Sequence, residues 1–321
     1  MDKKSAPNLP THADQTMLKS FFGCRRKFYW WYLRRVDFKI TPPYFIWGQA
    51  WQEMLCFWYS KTELDLEERL SGAISLGEKL WNDSGTLPMG YNNLDTLRWA
   101  MIFYAANFPE EPWEIITLDE KVELGFEIPF PPRPIWSICG AIDGYIDWGP
   151  FGLLVLENKS AGIDVQSAKY LLQWSFDLQP MTYTWALRQI LEQDPFGTYM
   201  NCVCKKITQK NIKEFQEAHI IPHAMFARKD IQKSSFHYRE FEQSVNDCLI
   251  QIEVEWDLWH WPKTYNTIEC TGGIGKSACP YQRLCLQERN PWEITDEEVE
   301  MIPGLVVKRD KWEPWKRGGK S

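Results

Sequence analysis

The sequence predicts an α/β protein in which a mixed central sheet is flanked by helices. Three observations carry that expectation. A strand-like stretch, Ser137–Asp147, meets a turn at Trp148–Gly152 and then a short apolar run, Leu153–Leu156. That run reads as buried on both faces, as in a sheet covered on each side. Segments with apolar helical patterning surround it, at about 45–59, 170–192 and 238–259.

The second strand of the hairpin ends in Glu157-Asn158-Lys159. Strand side chains alternate, so Glu157 and Lys159 share a face and Asn158 takes the other. Asp143 on the neighbouring strand can be brought beside them. Two carboxylates and an ammonium at the end of a buried hairpin are costly without a partner. A hard divalent cation held by oxygen would satisfy the carboxylates and leave the lysine for acid–base or charge work.

With 321 residues, 44% hydrophobic and 25% charged, the chain is an ordinary folded protein with a substantial core. Its 18 tryptophans are far above the usual share, and most should be core. The net charge of −7 excludes a globally basic nucleic-acid binder, so any such contact needs a local patch and bound metal. No apolar run spans a bilayer and no secretory leader follows Met1, so the sequence predicts a soluble, cytoplasmic protein with no membrane partner. Nine cysteines, an odd number, argue against a disulfide framework and raise the question of metal ligation.

Along the chain, residues 1–15 read as a loose leader and 16–290 as one domain. A short helix from Met17 breaks at Gly23-Cys24 and resumes as an aromatic, basic helix. Arg25, Arg26 and Lys27, with Arg34 and Arg35, are the best local phosphate contacts, against a plain solvated helix face. An apolar helix covers about Phe45–Tyr59 and contains Gly48, Gln52 and Glu53. Residues 61–112 form a helical insertion with a loop near 85–93. Strands resume at about 115–128. The helix at about 170–192 stacks Gln179 and Tyr183 on one face by their i, i+4 spacing. A strand follows at 197–206, then a stretch of mixed character. Residues 291–321 form an extension whose basic, Gly-rich end is partly disordered. There are no internal repeats. The Gly-Lys-Ser at 275–277 lacks the first glycine of a phosphate-binding loop.

Cys270, Cys279 and Cys285 lie in a glycine-rich, turn-rich stretch with eight and five residues between them. Thiolates so spaced can converge on one metal centre, but a cubane cluster or a structural zinc needs four. Cys24, at a helix break beside basic residues, is the best fourth. Cys56, Cys139, Cys202, Cys204 and Cys248 sit in apolar patterns and read as buried thiols.

Taken in order, these features resemble the PD-(D/E)xK nucleases of the RecB type. They resemble most closely the iron–sulfur branch: CRISPR-associated cluster-bearing exonucleases, the AddB nuclease domain and phage relatives. The resemblance rests on Leu18-x-x-Phe-Phe-x-Cys24-Arg-Arg-Lys-Phe-Tyr, Gly140-Ala-Ile-Asp143-Gly and Glu157-x-Lys159. It continues through Gln179-x-x-x-Tyr183, Pro262–Cys270 and Cys279–Cys285, spanning about residues 17–287 and leaving 61–112 unmatched. It implies a restriction-endonuclease-like fold with a cluster-bearing lobe, residues 262–287 forming its closing tail. Asp143, Glu157 and the Asn158 carbonyl would ligate Mg²⁺ or Mn²⁺, and Lys159 would orient or deprotonate the attacking water. Gln179 and Tyr183 would hold the DNA backbone or the lysine. Cys24, Cys270, Cys279 and Cys285 would bind a structural [4Fe–4S] cluster. The implied activity is a DNA exonuclease on single strands or ends, in recombination, repair or replication alongside other proteins of those processes. For a phage protein the compartment would be the host cytoplasm.

One position departs from the pattern. Where the family places a metal-contacting histidine four residues after a helix glycine, this chain has Gly48 and Gln52. Gln52 offers a neutral oxygen to the metal, and Glu53 is one position off that face. Two further readings stay open: a non-catalytic DNA-binding or assembly protein on the same scaffold, and a zinc-stapled interaction module.

Overall fold

The computed structural model describes residues 9–117, 121–264, 266–272, 278–310, 312–313 and 315–316. The expected single domain divides into two compact units. One gathers Met1–Ile40, Glu127–Gly140 and Tyr238–Trp315, and the other Thr41–Phe126, Ala141–His237 and Lys316–Ser321. Most of the expected loose leader, the Gly-Lys-Ser stretch and the basic C-terminal end lie outside the described residues.

The first unit opens with β1 (His12–Ala13), a strand where the sequence predicts a leader. Helix α1 (Gln15–Gly23) is started by Asp14, whose carboxylate accepts from the Met17 amide at 2.6 Å. The break at Cys24 is as predicted. After α2 (Arg25–Phe28) the backbone widens into a π-helical turn over Tyr29–Leu33, and β2 (Val36–Phe38) follows.

The second unit begins with α3 (Pro43–Ser60), whose first residue is proline, a position that needs no amide donor. Helices α4 (Leu66–Asp83) and α5 (Leu94–Asn107) form the predicted helical insertion, capped by Asp65 and Asn93. Trp47, Trp51 and Trp58 of α3 are buried with Tyr104 and Phe103 of α5 in one core cluster. The strands expected at 115–128 are two short ones, β3 (Glu114–Ile116) and β4 (Leu124–Pro129).

The predicted strand Ser137–Asp147 is corrected most. It is β5 (Ser137–Ile142) and β6 (Gly144–Asp147), which belong to different sheets, with a bend at Asp143 between them. Gly144 permits the crowding there, because a Cβ on it would meet Ile115 and Val122 side chains at 3.2 and 3.3 Å. A short 3₁₀ turn, Gly149–Phe151, leads into β7 (Leu153–Ala161). The predicted long helix at 170–192 is likewise two, α6 (Ala168–Phe176) and α7 (Leu178–Leu191). Asp177 ends the first and caps the second by accepting from the Gln179 amide at 2.8 Å. Strand β8 (Gly197–Cys204) follows as expected. The stretch of mixed character after it is α8 (Gln209–Ala218) and β9 (Phe226–Gln232).

The order β3-β6-β7-β8-β9 makes a mixed five-stranded sheet, in which β7 and β8 run parallel with Glu157 beside Met200 and Lys159 beside Cys202. Leu154 and Leu156 are fully buried, as the apolar run predicts.

The first unit resumes with α9 (Ser235–Leu258). It continues through α10 (Thr267–Thr271), α11 (Gln282–Cys285), α12 (Asp296–Glu300) and β10 (Leu305–Val307). The extension at 291–310 is ordered. Strand β10 pairs antiparallel with β2, and Arg34, buried, reaches the Ile294 carbonyl at 3.0 Å and Asp296 at 2.6 Å. Strands β1, β5 and β4 form a separate small sheet.

Candidate active site

Strand β7, the bend at Asp143 and helix α7 bring the catalytic candidates together. The Asn158 amide donates to Asp143 Oδ2 at 2.8 Å, which fixes Asp143 beside the end of β7. Glu157 is fully buried. Its Oε1 accepts from Gln179 Nε2 at 2.9 Å and from Lys159, and Gln179 also reaches the Tyr183 hydroxyl at 3.2 Å. Among the described residues Glu157 Oε2 has no hydrogen-bond partner. The Lys159 ammonium lies over the Trp174 ring at 5.7 Å. Glu157 and Lys159 share one face of β7, as the alternation predicts, and Gln179 with Tyr183 of α7 meets them there.

Burial raises the carboxyl pKa of Asp143 and of Glu157 above the usual range, with Lys159 opposing both. Burial works against the Lys159 charge, but Glu157 and Asp143 outweigh it and its pKa rises. Two carboxylates with raised pKa values and an orphaned buried oxygen fit a divalent ion, which would replace the missing partner.

On the other face Asn158 enters a buried polar network that no sequence pattern announces. Its Oδ1 accepts from Asn201 Nδ2 at 2.9 Å, and its Nδ2 donates to Gln52 Oε1 at 3.0 Å. Gln52 Nε2 donates to the Asp143 carbonyl at 3.1 Å, so both ends of that amide are engaged. Asn201 also donates to Tyr59 at 3.0 Å and Tyr104 at 3.2 Å. Arg228 joins Tyr104 to Glu111, each at 2.8 Å. Burial raises the Glu111 pKa while Arg228 opposes it.

Cys270, Cys279 and Cys285, singled out by spacing, and Cys24, by its helix break, line one cavity of about 150 Å³ in the first unit, with Lys27 and Lys263 on its wall. The Cys279 amide donates to the Cys270 carbonyl at 3.0 Å. Burial raises the thiol pKa of Cys279 and of Cys285, and the nearby cations Lys27 and Arg26 respectively oppose it. Among the described residues no three His, Cys, Asp or Glu side chains are gathered closely enough to hold a single ion. The basic trio is partly spent on the fold. Arg25 pairs with the buried Glu255, Arg26 donates to the Trp261 carbonyl, and Lys27 lies 5.8 Å from the Trp31 ring centre.

Asp143, Glu157, Lys159, Gln179 and Tyr183 thus gather around the C-terminal half of β7, with Glu157 fully buried and Asp143 half-buried. The family model for the PD-(D/E)XK nuclease superfamily matches residues 14–286, and the chain belongs to that superfamily. Membership implies nuclease chemistry, a divalent metal and DNA as the substrate class. A search of curated proteins returned no match. Among the described residues no helix is long and apolar enough to cross a membrane.

Proposed function

We propose that the chain is a Mg²⁺- or Mn²⁺-dependent exonuclease of the RecB-like, cluster-bearing branch. It would act on single-stranded DNA or DNA ends in the cytoplasm, during recombination, repair or replication, with phage proteins among its relatives. The observation that carries the reading is Glu157 Oε2, buried and without a hydrogen-bond partner among the described residues, on a carboxylate that also pairs with Lys159. Asp143, Glu157 and the Asn158 carbonyl would hold the ion. When bound, the ion supplies positive charge against the attacked phosphate and eases deprotonation of water. Lys159, held as an ammonium by Glu157 and lying over Trp174, orients the attacking water and opposes charge building on phosphorus. Gln179 fixes the Glu157 carboxylate, and Tyr183 fixes Gln179.

Gln52 stands at the edge of this site with its amide committed to Asn158 and Asp143, so it supports the ligands more readily than it joins them. That commitment also favours the second reading, a weakened or non-cutting DNA-binding protein. For the cysteines, four thiols around a cavity suit a [4Fe–4S] cluster better than zinc. Zinc would draw them onto one point at Zn–S distances of about 2.3 Å.

The test is cleavage of end-labelled single- and double-stranded DNA by protein purified without oxygen, with Mn²⁺ or Mg²⁺, beside Lys159→Ala. Cleavage confined to the wild type supports the reading, and its product ladder gives polarity. DNA binding without cleavage selects the second reading. Iron with acid-labile sulfide selects the cluster, and zinc alone rejects it.

A further inference from the structure

Lys205 is a buried ammonium for which the site described above has no use. It follows β8 directly, and its side chain sits in the second unit with 6% of the residue exposed. Among the described residues the ammonium makes one hydrogen bond, to Asn92 Oδ1 at 2.8 Å, and forms no ion pair. Its other neighbour is the Trp47 ring at 5.3 Å. An ammonium has three donors, and one neutral acceptor with a ring face leaves it short of a counter-charge. Burial lowers its pKa to about 8, and no carboxylate contributes.

Its place relative to the catalytic strand is fixed by register. Lys205 donates its amide to the Ala161 carbonyl at 2.7 Å, two residues beyond Lys159 on β7. Helix α3 marks the same direction. Gln52 meets Asp143 and Asn158, whereas Trp47, five residues earlier and about 7.5 Å back along the axis, meets Lys205. That offset is on the order of the step between neighbouring phosphates on an extended strand.

Asn92 belongs to a loop between α4 and α5, closed on itself by the Met89–Asn92 backbone pairing. Leu87, Met89 and Tyr91 of that loop are exposed.

The geometry points to Lys205 as a second phosphate subsite, which takes the backbone phosphate next to the scissile one on a DNA strand. In the free protein Asn92 Oδ1 occupies the place of the phosphate oxygen, and the loop moves aside to exchange one acceptor for the other. The exposed apolar side chains of the loop then lie where unpaired bases pass. This inference rests on the nuclease reading.

The test measures binding of a labelled single-stranded oligonucleotide by fluorescence anisotropy over a salt series. Ca²⁺ replaces the activating ion, and wild type is compared with Lys205→Met and Asn92→Ala, each checked for cooperative unfolding. Lys205→Met should bind about ten-fold more weakly, with the slope of log affinity against log salt flatter by about one. Asn92→Ala should bind at least as well as wild type with an unchanged slope, because it removes the place-holder and, besides it, only a side-chain bond to the Met89 carbonyl inside the loop. If Lys205→Met does not fold, Lys205→Gln takes its place in the comparison.

An unchanged slope for the folded lysine variant overturns the subsite. So does an Asn92→Ala protein weakened as much as the lysine variant, since the pair would then be only a tether for the loop. Wild type that cleaves DNA while the lysine variant keeps its slope sinks the subsite alone. Wild type that neither binds nor cleaves sinks the nuclease reading, and the subsite with it.

Discussion

The carboxylate site and the cysteine cavity are built by opposite means. Around Glu157 the positions come from sheet register. Asn158 is hydrogen-bonded to Asp143 by its amide and to Gln52 and Asn201 by its side chain, and Leu154 and Leu156 anchor the strand in the core. Around the cysteines no such frame exists. Cys24 lies between two helices, Cys270 in a helix of five residues and Cys285 in one of four, with Cys279 in the turn before it. Helices that short have little stability of their own. The first arrangement is held by the sheet itself, whereas the second is held only by short helices and turns.

The contrast breaks most sharply under Lys159→Ala. Cleavage should fall by about a thousand-fold or more, because the lysine acts on charge that develops during the reaction. Hydrogen exchange across β7 and β8 should stay protected. Lost protection there would mean the strand is not pre-arranged, and the contrast with the cysteine region would fail.

Cys270→Ser, or removal of the bound group by chelation, should act in the reverse sense. Exchange protection should drop in α1, α10 and α11 while the β7–β8 ladder keeps its own. Equal protection before and after removal would make the cavity a preformed site like the other.

Asn201→Ala sharpens the comparison from inside the sheet. It takes the Asn201 donor from Asn158 Oδ1 and from the Tyr59 and Tyr104 hydroxyls in a buried place, though Arg228 still donates to Tyr104 and Tyr59 to Asn158, at a cost of about 2–4 kcal/mol by urea denaturation. A loss below about 0.5 kcal/mol would show that water replaces the amide and that the network does not hold Asn158.

These two regions also differ in how far the sequence disclosed them. Glu157, Lys159 and Asn158 were legible because side chains on a strand can only alternate, and Gln179 with Tyr183 because helix spacing stacks them. Cys270, Cys279 and Cys285 were legible from loop spacing and Cys24 from its helix break, and neither signal says anything of shape. The break of β5 from β6 was hidden, because Asp143 lies inside a run that reads as one strand. The break at Asp177 had a signal that could have found it: a capping aspartate with Pro180 in the first turn after it. The Asn201–Arg228–Glu111 network had none, since its members come from three separate stretches and each alone is an unremarked polar residue. The pairing of β2 with β10 joins strands of three residues each, too short for any pattern to register.

The smallest effect belongs to Lys205, and its direction is the informative part. Burial holds its folded-state pKa near 8, below the value of about 10.4 for an unfolded lysine. Below about pH 8 both states carry the charge, and the folded one bears the full cost of burying it. Between about pH 8 and 10 the folded state has released its proton and the unfolded state has not, so that cost falls as pH rises. Lys205→Met has no such charge to bury. Near neutral pH it should be more stable than wild type by about 1–2 kcal/mol after allowing for solvent screening, and the gap should close toward about pH 10. Urea midpoints of the two proteins across that range decide it. A methionine variant less stable than wild type at every pH would mean that Asn92 and Trp47 fully compensate the ammonium within the fold. A variant that gains stability while losing DNA affinity would show a charge retained against the interest of the fold, as a residue kept for a ligand would be.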